Sequence, residues 1–310
     1  LSLAIETIRR GGLVGMPTET VYGLAADALN AEAVLRIFAA KGRPTFDPLI
    51  VHVAEAEQAW SVAIPSERAR RLAARFWPGP LTLVLPRRAV VPDVVTSGLE
   101  TVGVRVPDHP LARELIRSSG CPLAAPSANL FGRISPTTAD HVREQLGQVV
   151  AVVLDGGPCR VGVESTVLRP DPVPMILRPG GVTREQVEHC LGEPIALAGR
   201  DERAGSLPRE APGMLASHYA PRVPMTIKGN EPWPIDRHSA RLAFTCAPPP
   251  GGPSEVLSSG GDVVEAAMHL FAALRRLDDS GATRIVAELV PDHGLGLAIN
   301  DRLRRAAGLG

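Results

Sequence analysis

The chain has 310 residues, 45% hydrophobic and 21% charged, and its 33 basic and 33 acidic side chains cancel to zero net charge. That balance argues against a dedicated nucleic-acid binder, which carries a basic excess, and the length can bury a large core without metal or disulfide support. Four widely spaced cysteines with no CxxC pair, no leader pattern in residues 1–30 and no long apolar run together predict a reduced, cytoplasmic protein without a membrane segment.

Along the chain, helical spacing over residues 2–10 ends at Gly11 and Gly12, and residues 13–17 read as a short buried strand. Helical period returns over 31–40, and 49–53 is a strand carrying His52 among apolar neighbours. An Arg-rich helix over 66–76 is broken by Trp77-Pro78-Gly79-Pro80. Residues 81–86 and 101–107 are strands, the second alternating Val102, Val104 and Val106 against Gly103 and Arg105. A helix over 110–118, a strand running into a loop at 121–129, a helix over 138–146 and a strand over 149–155 follow. Two strands near 165–180 and a helix over 183–191 close an α/β domain over residues 1–195, with parallel pairing expected for much of its sheet. Residues 196–222 have no sustained apolar period and read as a linker. Residues 223–310 read as a smaller α/β domain, with strands near 223–228, 241–245 and 284–289 and helices over 262–279 and 296–307.

No GxxxxGK[ST], HExxH or GxSxG is present, so P-loop, zincin and nucleophile-elbow chemistry are excluded. The Gly294-Leu295-Gly296 step fits a helix start better than a dinucleotide fingerprint. Polar residues instead gather at the ends of apolar strands, where α/β sheets hold ligands. They are Thr18, Glu19 and Thr20, then Lys41 and Arg43, His52, Arg105, and Ser127 with Asn129. Each also has an ordinary explanation: a helix cap for the hydroxyls, the helix dipole for the cations, burial for the histidine, snorkelling for Arg105. Lys41 stands out because only it and Lys228 are lysines among the 33 cations, and lysine is a compact point charge where arginine is a fork.

The segments PTETVYGL, AKGRP, PLIVHV, WPGPLTLVL, VRVPDHP, APSAN, GVEST and LRPGG, in this order, resemble YrdC-domain proteins. With the second domain, the chain resembles the two-domain threonylcarbamoyl-AMP synthases. The resemblance implies a twisted open α/β sheet with a concave cavity, a linker, and a small Rossmann-like domain. It implies a nucleotidyltransferase that joins L-threonine, bicarbonate and ATP with Mg²⁺, releasing pyrophosphate. The product would feed tRNA threonylcarbamoyl-transfer machinery, with at most weak contact to tRNA itself. By matching position, Lys41, Arg43, Asp47, Thr101, Ser127, Asn129, Ser135, Arg178 and Tyr219 are expected at ATP, with Lys41 and Arg43 neutralising charge during the reaction. Thr20, His52, Arg105, Ala125 and Ser165 are expected at threonine. The family's basic-aromatic-basic lid stretch is replaced here by Leu215-Ala216-Ser217. Two other readings are an RNA-binding module, disfavoured by few aromatics and zero net charge, and a carbamoyl-transfer maturation enzyme, disfavoured by the lack of CxxC modules.

Overall fold

The computed structural model describes residues 1–198 and 218–309. Most of the expected linker, including Leu215-Ala216-Ser217, lies outside the described residues. In chain order the first domain runs α1 (Ser2–Arg9), β1 (Val14–Met16), β2 (Gly23–Asp27), α2 (Ala31–Lys41), β3 (Ile50–His52), α3 (Ala56–Val62), α4 (Glu67–Phe76) and β4 (Leu81–Pro86). It continues through α5 (Asp93–Thr96), β5 (Thr101–Arg105), α6 (Pro110–Ser119), β6 (Leu123–Ala124), α7 (Ala139–Leu146) and β7 (Val152–Val153). It ends with β8 (Thr166–Arg169), β9 (Met175–Arg178), α8 (Arg184–Leu191) and β10 (Ala196–Leu197).

These strands form one ten-stranded sheet in the order β10-β9-β8-β4-β5-β3-β6-β2-β1-β7. Pairing is mixed, not mainly parallel: β1–β2, β2–β6, β3–β6, β4–β5 and β8–β9 are antiparallel. The expectation of parallel pairing missed β2, which follows β1 after a short loop with no helix to carry the chain across. A second departure is β10, which pairs in parallel with β9 and extends the first sheet into the range assigned to the linker.

The second domain holds β11 (Met225–Ile227), β12 (Ser239–Ala243), β13 (Ser254–Val256), α9 (Val263–Asp278), β14 (Arg284–Ala287) and α10 (Gly296–Ala306). Its sheet, β11-β14-β12-β13, is parallel at every pairing, as a Rossmann-like arrangement requires. The strands β2 and β13 and the short helices α3 and α5 escape sequence reading because each is too short to show a period.

The two domains are not separate cores. Val21, Ile134 and Val163 of the first domain and Tyr219 pack in one apolar cluster with Leu270 and Phe271 of α9 and Leu303 of α10. Gly162 makes the approach close: its φ is +77°, and a Cβ there would lie 2.2 Å from the Ala267 carbonyl oxygen on α9.

Candidate active site

The register of the first sheet brings the site together. His52 and Arg105 are direct partners at the ends of parallel strands β3 and β5, and His52 also faces Leu123 of β6, two residues before Ala125. Ser165 immediately precedes β8, and Arg178 ends β9 opposite Val167. Asn30 caps α2 by accepting from Glu32 N and Ala33 N, and Gly42 stops the helix at φ +60°, which delivers Lys41 and Arg43 to the same end of the sheet. There a cavity is lined by Thr18, Thr20, His52, Arg105, Ala125 and Ser165. Arg43, Ser127, Glu164, Arg178, His218 and Tyr219 line it too.

Arg105 is held on three sides. Its Nη2 forms an ion pair with Glu19 Oε1 at 2.7 Å, Nη1 donates to Thr20 Oγ1 at 2.9 Å, and Nε donates to the Gly79 carbonyl at 3.2 Å. Thr18 Oγ1 donates to the Val21 carbonyl at 2.6 Å, so the Thr18–Thr20 hydroxyl contact of 2.8 Å takes its proton from Thr20. Glu19 is 2% exposed; the sequence places it among the polar residues at strand ends but gives it no role at either ligand. Burial, with the charge of Arg105 beside it, pushes His52 down to about 3, so its imidazole is neutral. Its Nδ1 lies 3.2 Å from the Ile50 carbonyl, an acceptor, and the ring also hydrogen-bonds the Leu123 backbone. Ser165 Oγ shares a 2.8 Å hydrogen bond with Thr82 Oγ1 and lies 3.4 Å from Arg178 Nη2, which also donates to the Ser165 carbonyl at 3.0 Å.

Arg43 forms a buried ion pair with Asp47 at 2.9 Å and donates to the carbonyls of Asp47 and Pro48. Asp47 therefore acts through Arg43 and does not itself line the cavity. Lys41 is placed behind the wall: its ammonium donates to the Ser127 and Asn129 carbonyls, each at 2.5 Å, and so clamps the loop that carries Ser127 into the cavity. Burial foremost, then the neighbouring Arg43, pulls Lys41 well below the usual lysine range. Asn129 braces the same loop by donating from Nδ2 to the Leu130 and Arg133 carbonyls. Ser135 Oγ donates to Glu164 Oε1 at 2.5 Å, one layer out from the cavity. Thr101 sits at the start of β5, opposite Pro86, about 13 Å along the strand from Arg105 at the usual rise per residue. The structure does not bring Thr101 to the cavity.

Tyr219 has φ +65° and is buried, with its ring stacked on Phe271 at 5.8 Å and edge-on to His218 at 4.2 Å. Its hydroxyl has no hydrogen-bond partner among the described residues. Burial foremost, then the cations Arg43, Lys41, Arg178 and Arg305, keep His218 well below the usual imidazole range. No group of three or more His, Cys, Asp or Glu among the described residues could hold a metal ion.

A family described as Telomere recombination matches residues 6–180, and one described as Threonylcarbamoyl-AMP synthase, C-terminal domain, matches residues 182–308. A threonylcarbamoyl-AMP synthase from Bacillus subtilis is 44% identical over 99% of this chain and 93% of its own length. One from Pyrococcus abyssi is 45% identical over 99% of this chain and 94% of its own. The crystal structure of Pyrococcus abyssi Sua5 complexed with L-threonine superposes with a TM-score of 0.90 at 43% identity, covering 99% of this chain and 94% of that one.

Proposed function

The chain belongs to the threonylcarbamoyl-AMP synthase family, and from that premise we propose that it joins L-threonine, bicarbonate and ATP into threonylcarbamoyl-AMP, releasing pyrophosphate. The observation that carries this reading is one cavity in which all five residues expected at threonine meet four of the nine expected at ATP, Arg43, Ser127, Arg178 and Tyr219. Arg105 gives N–H groups to Thr20, Gly79 and Glu19, and the two that remain on Nη1 and Nη2 suit the threonine carboxylate. The neutral His52 offers its imidazole to the threonine ammonium or hydroxyl, and Ser165 lies in the same wall. Arg43 and Arg178 face the polyphosphate, Ser127 contacts it from the loop set by Lys41 and Asn129, and Tyr219 borders the nucleotide.

The threonine amine first condenses with bicarbonate, losing water, to give a carbamate; the carbamate oxygen then attacks the α-phosphorus and expels pyrophosphate. The protein supplies alignment and positive potential, and neither step needs a covalent enzyme intermediate. The described donors do not suit a protein-held metal: among the described residues Glu164 is the one acid in the wall, and both its oxygens are engaged. Mg²⁺ therefore enters as the counter-ion of ATP, held by phosphates. Four free thiols suit a reducing, cytoplasmic setting for the reaction. A tRNA threonylcarbamoyl-transfer system consumes the product.

The test is pyrophosphate release from ATP and Mg²⁺. Release must require both threonine and bicarbonate and fall at least about a hundredfold in Arg105→Ala. Release that ignores threonine would refute the assignment.

A further inference from the structure

Among the described residues that line the cavity, Glu164 is the one carboxylate, set against Arg43, Arg105 and Arg178. An unbalanced carboxylate here would repel a polyphosphate and offset part of what the arginines provide. Two contacts govern it. Oε1 accepts from Ser135 Oγ, and Oε2 accepts from Arg302 Nε at 2.9 Å. Ser135 belongs to the first domain, but Arg302 comes from α10 of the second, more than a hundred residues away in sequence.

Arg302 is fully buried. Its Nη1 donates to the Pro179 carbonyl and to Asp301 Oδ2, each at 2.9 Å. Its guanidinium carbon lies 5.1 Å from the centre of the Tyr219 ring, which stacks from its side on Phe271. One side chain of the second domain thus touches the acid of the cavity wall, the backbone just after Arg178, and the aromatic ring of the wall. Burial alone would push the Glu164 carboxyl up, but Arg302, Arg178 and Ser135 together hold it below the usual range, so it stands as a compensated anion.

We propose that Arg302 is a positioning residue which the second domain contributes to the active site: it cancels the charge of Glu164 within the anion-binding wall and supports the Tyr219 ring. ATP then meets a wall of net positive sign. The proposal rests on the ATP reading given above. A guanidinium that merely stapled two domains together would need no carboxylate from the cavity wall.

The experiment is a double-mutant cycle on ATP affinity, with Mg²⁺ present and threonine absent, read by titration calorimetry on the full chain. R302M should weaken ATP binding by about tenfold or more, because it strands a buried carboxylate beside the phosphates. In an E164Q background the same R302M change should alter affinity by less than about twofold, since the cavity wall then carries no carboxylate to be cancelled and Asp301 keeps its ion pair with Arg305. Equal losses in both backgrounds would overturn the proposal and leave Arg302 as a structural staple. If the wild-type chain does not bind ATP, the ATP reading itself fails, and the proposal with it. Should R302M not fold, R302K and R302Q carry the test. The lysine keeps the charge without the fork and should bind ATP at least about fivefold more tightly than the glutamine; parity of the two would overturn the proposal.

Discussion

Glu19→Gln isolates the electrostatics of the threonine side of the cavity. The Glu19–Arg105 pair is 2.7 Å apart, with side chains only 2% and 4% exposed, so water contributes little screening. At a charge separation of about 4 Å and an effective dielectric of about 20, the attraction is about 4 kcal/mol. Removing one partner of a buried pair costs about 3–5 kcal/mol, because the other charge stays buried and uncompensated. For a domain of this size that lowers the melting temperature by about 6–20 °C. Arg105 then has a vacancy for an anion, which the carboxylate of threonine can fill. Saturating threonine should therefore raise the melting temperature of the variant more than that of the wild type, since a ligand that binds only the folded form stabilises by mass action. Differential scanning fluorimetry with and without threonine, and with threoninol as the control lacking the carboxylate, reads both quantities. A loss below about 2 °C, or a threonine shift no larger than the wild type's, would refute the reasoning.

Lys41→Met removes the donor from two loop carbonyls and should loosen residues 127–130 by about 1–3 kcal/mol, seen as faster amide exchange there together with weaker ATP binding. Tyr219→Phe deletes an unpartnered hydroxyl and should change unfolding free energy by less than about 1 kcal/mol in urea, whereas Tyr219→Ala empties a stacked, buried site at about 3–5 kcal/mol. Burial and Arg105 depress His52 to about 3, and burial and Arg275 depress His141 to about 4. The unfolded chain takes up protons near 6.5 that these folded residues refuse, so each removes up to about 1.4 kcal/mol per pH unit as pH falls from 6.5 towards its folded value. Urea midpoints between pH 7 and 5 should show this slope, flattened in His52→Gln. Gly162→Ala should cost at least about 1–2 kcal/mol for its positive φ alone, with the clash against Ala267 added, and calorimetry should then show the two domains melting apart.

The strand ends carry most of what sequence could reveal. Arg105 interrupts an alternating valine strand and His52 an apolar one, and both reach the cavity because strand register places them side by side. Thr20 is both a polar residue near a strand end and a position match to the family, Ala125 and Ser165 are expected at threonine by position match, and all three line the cavity. The residues expected at ATP are spread less evenly. Asp47, Ser135, Asn129 and Lys41 stand one layer behind the wall, and Thr101 lies at the other end of its strand from Arg105. Polar residue type cannot reveal whether a side chain faces a cavity or braces its neighbour. The ion-pair partner Glu19 and the counter-charge Arg302 were missed for another reason: such pairings are settled by tertiary approach, which leaves no local period. Mixed strand pairing was missed because β2, which pairs antiparallel with both β1 and β6, was not read as a strand.

The apolar seam between the domains bears on how this chain can be divided. Val21 follows Thr20, Ile134 precedes Ser135, and Val163 lies two residues before Ser165, and all three bury themselves against α9 and α10. Severing the chain between its halves would wet three side chains, each tethered to a residue of the site or its support, at about 1.5–3 kcal/mol apiece. The excised first half would lose definition in its reacting loops before it lost its sheet. Exchange of the second half with a relative's would succeed only where the graft reproduces the shape of that seam, so the two halves constrain each other's sequence as one inherited unit.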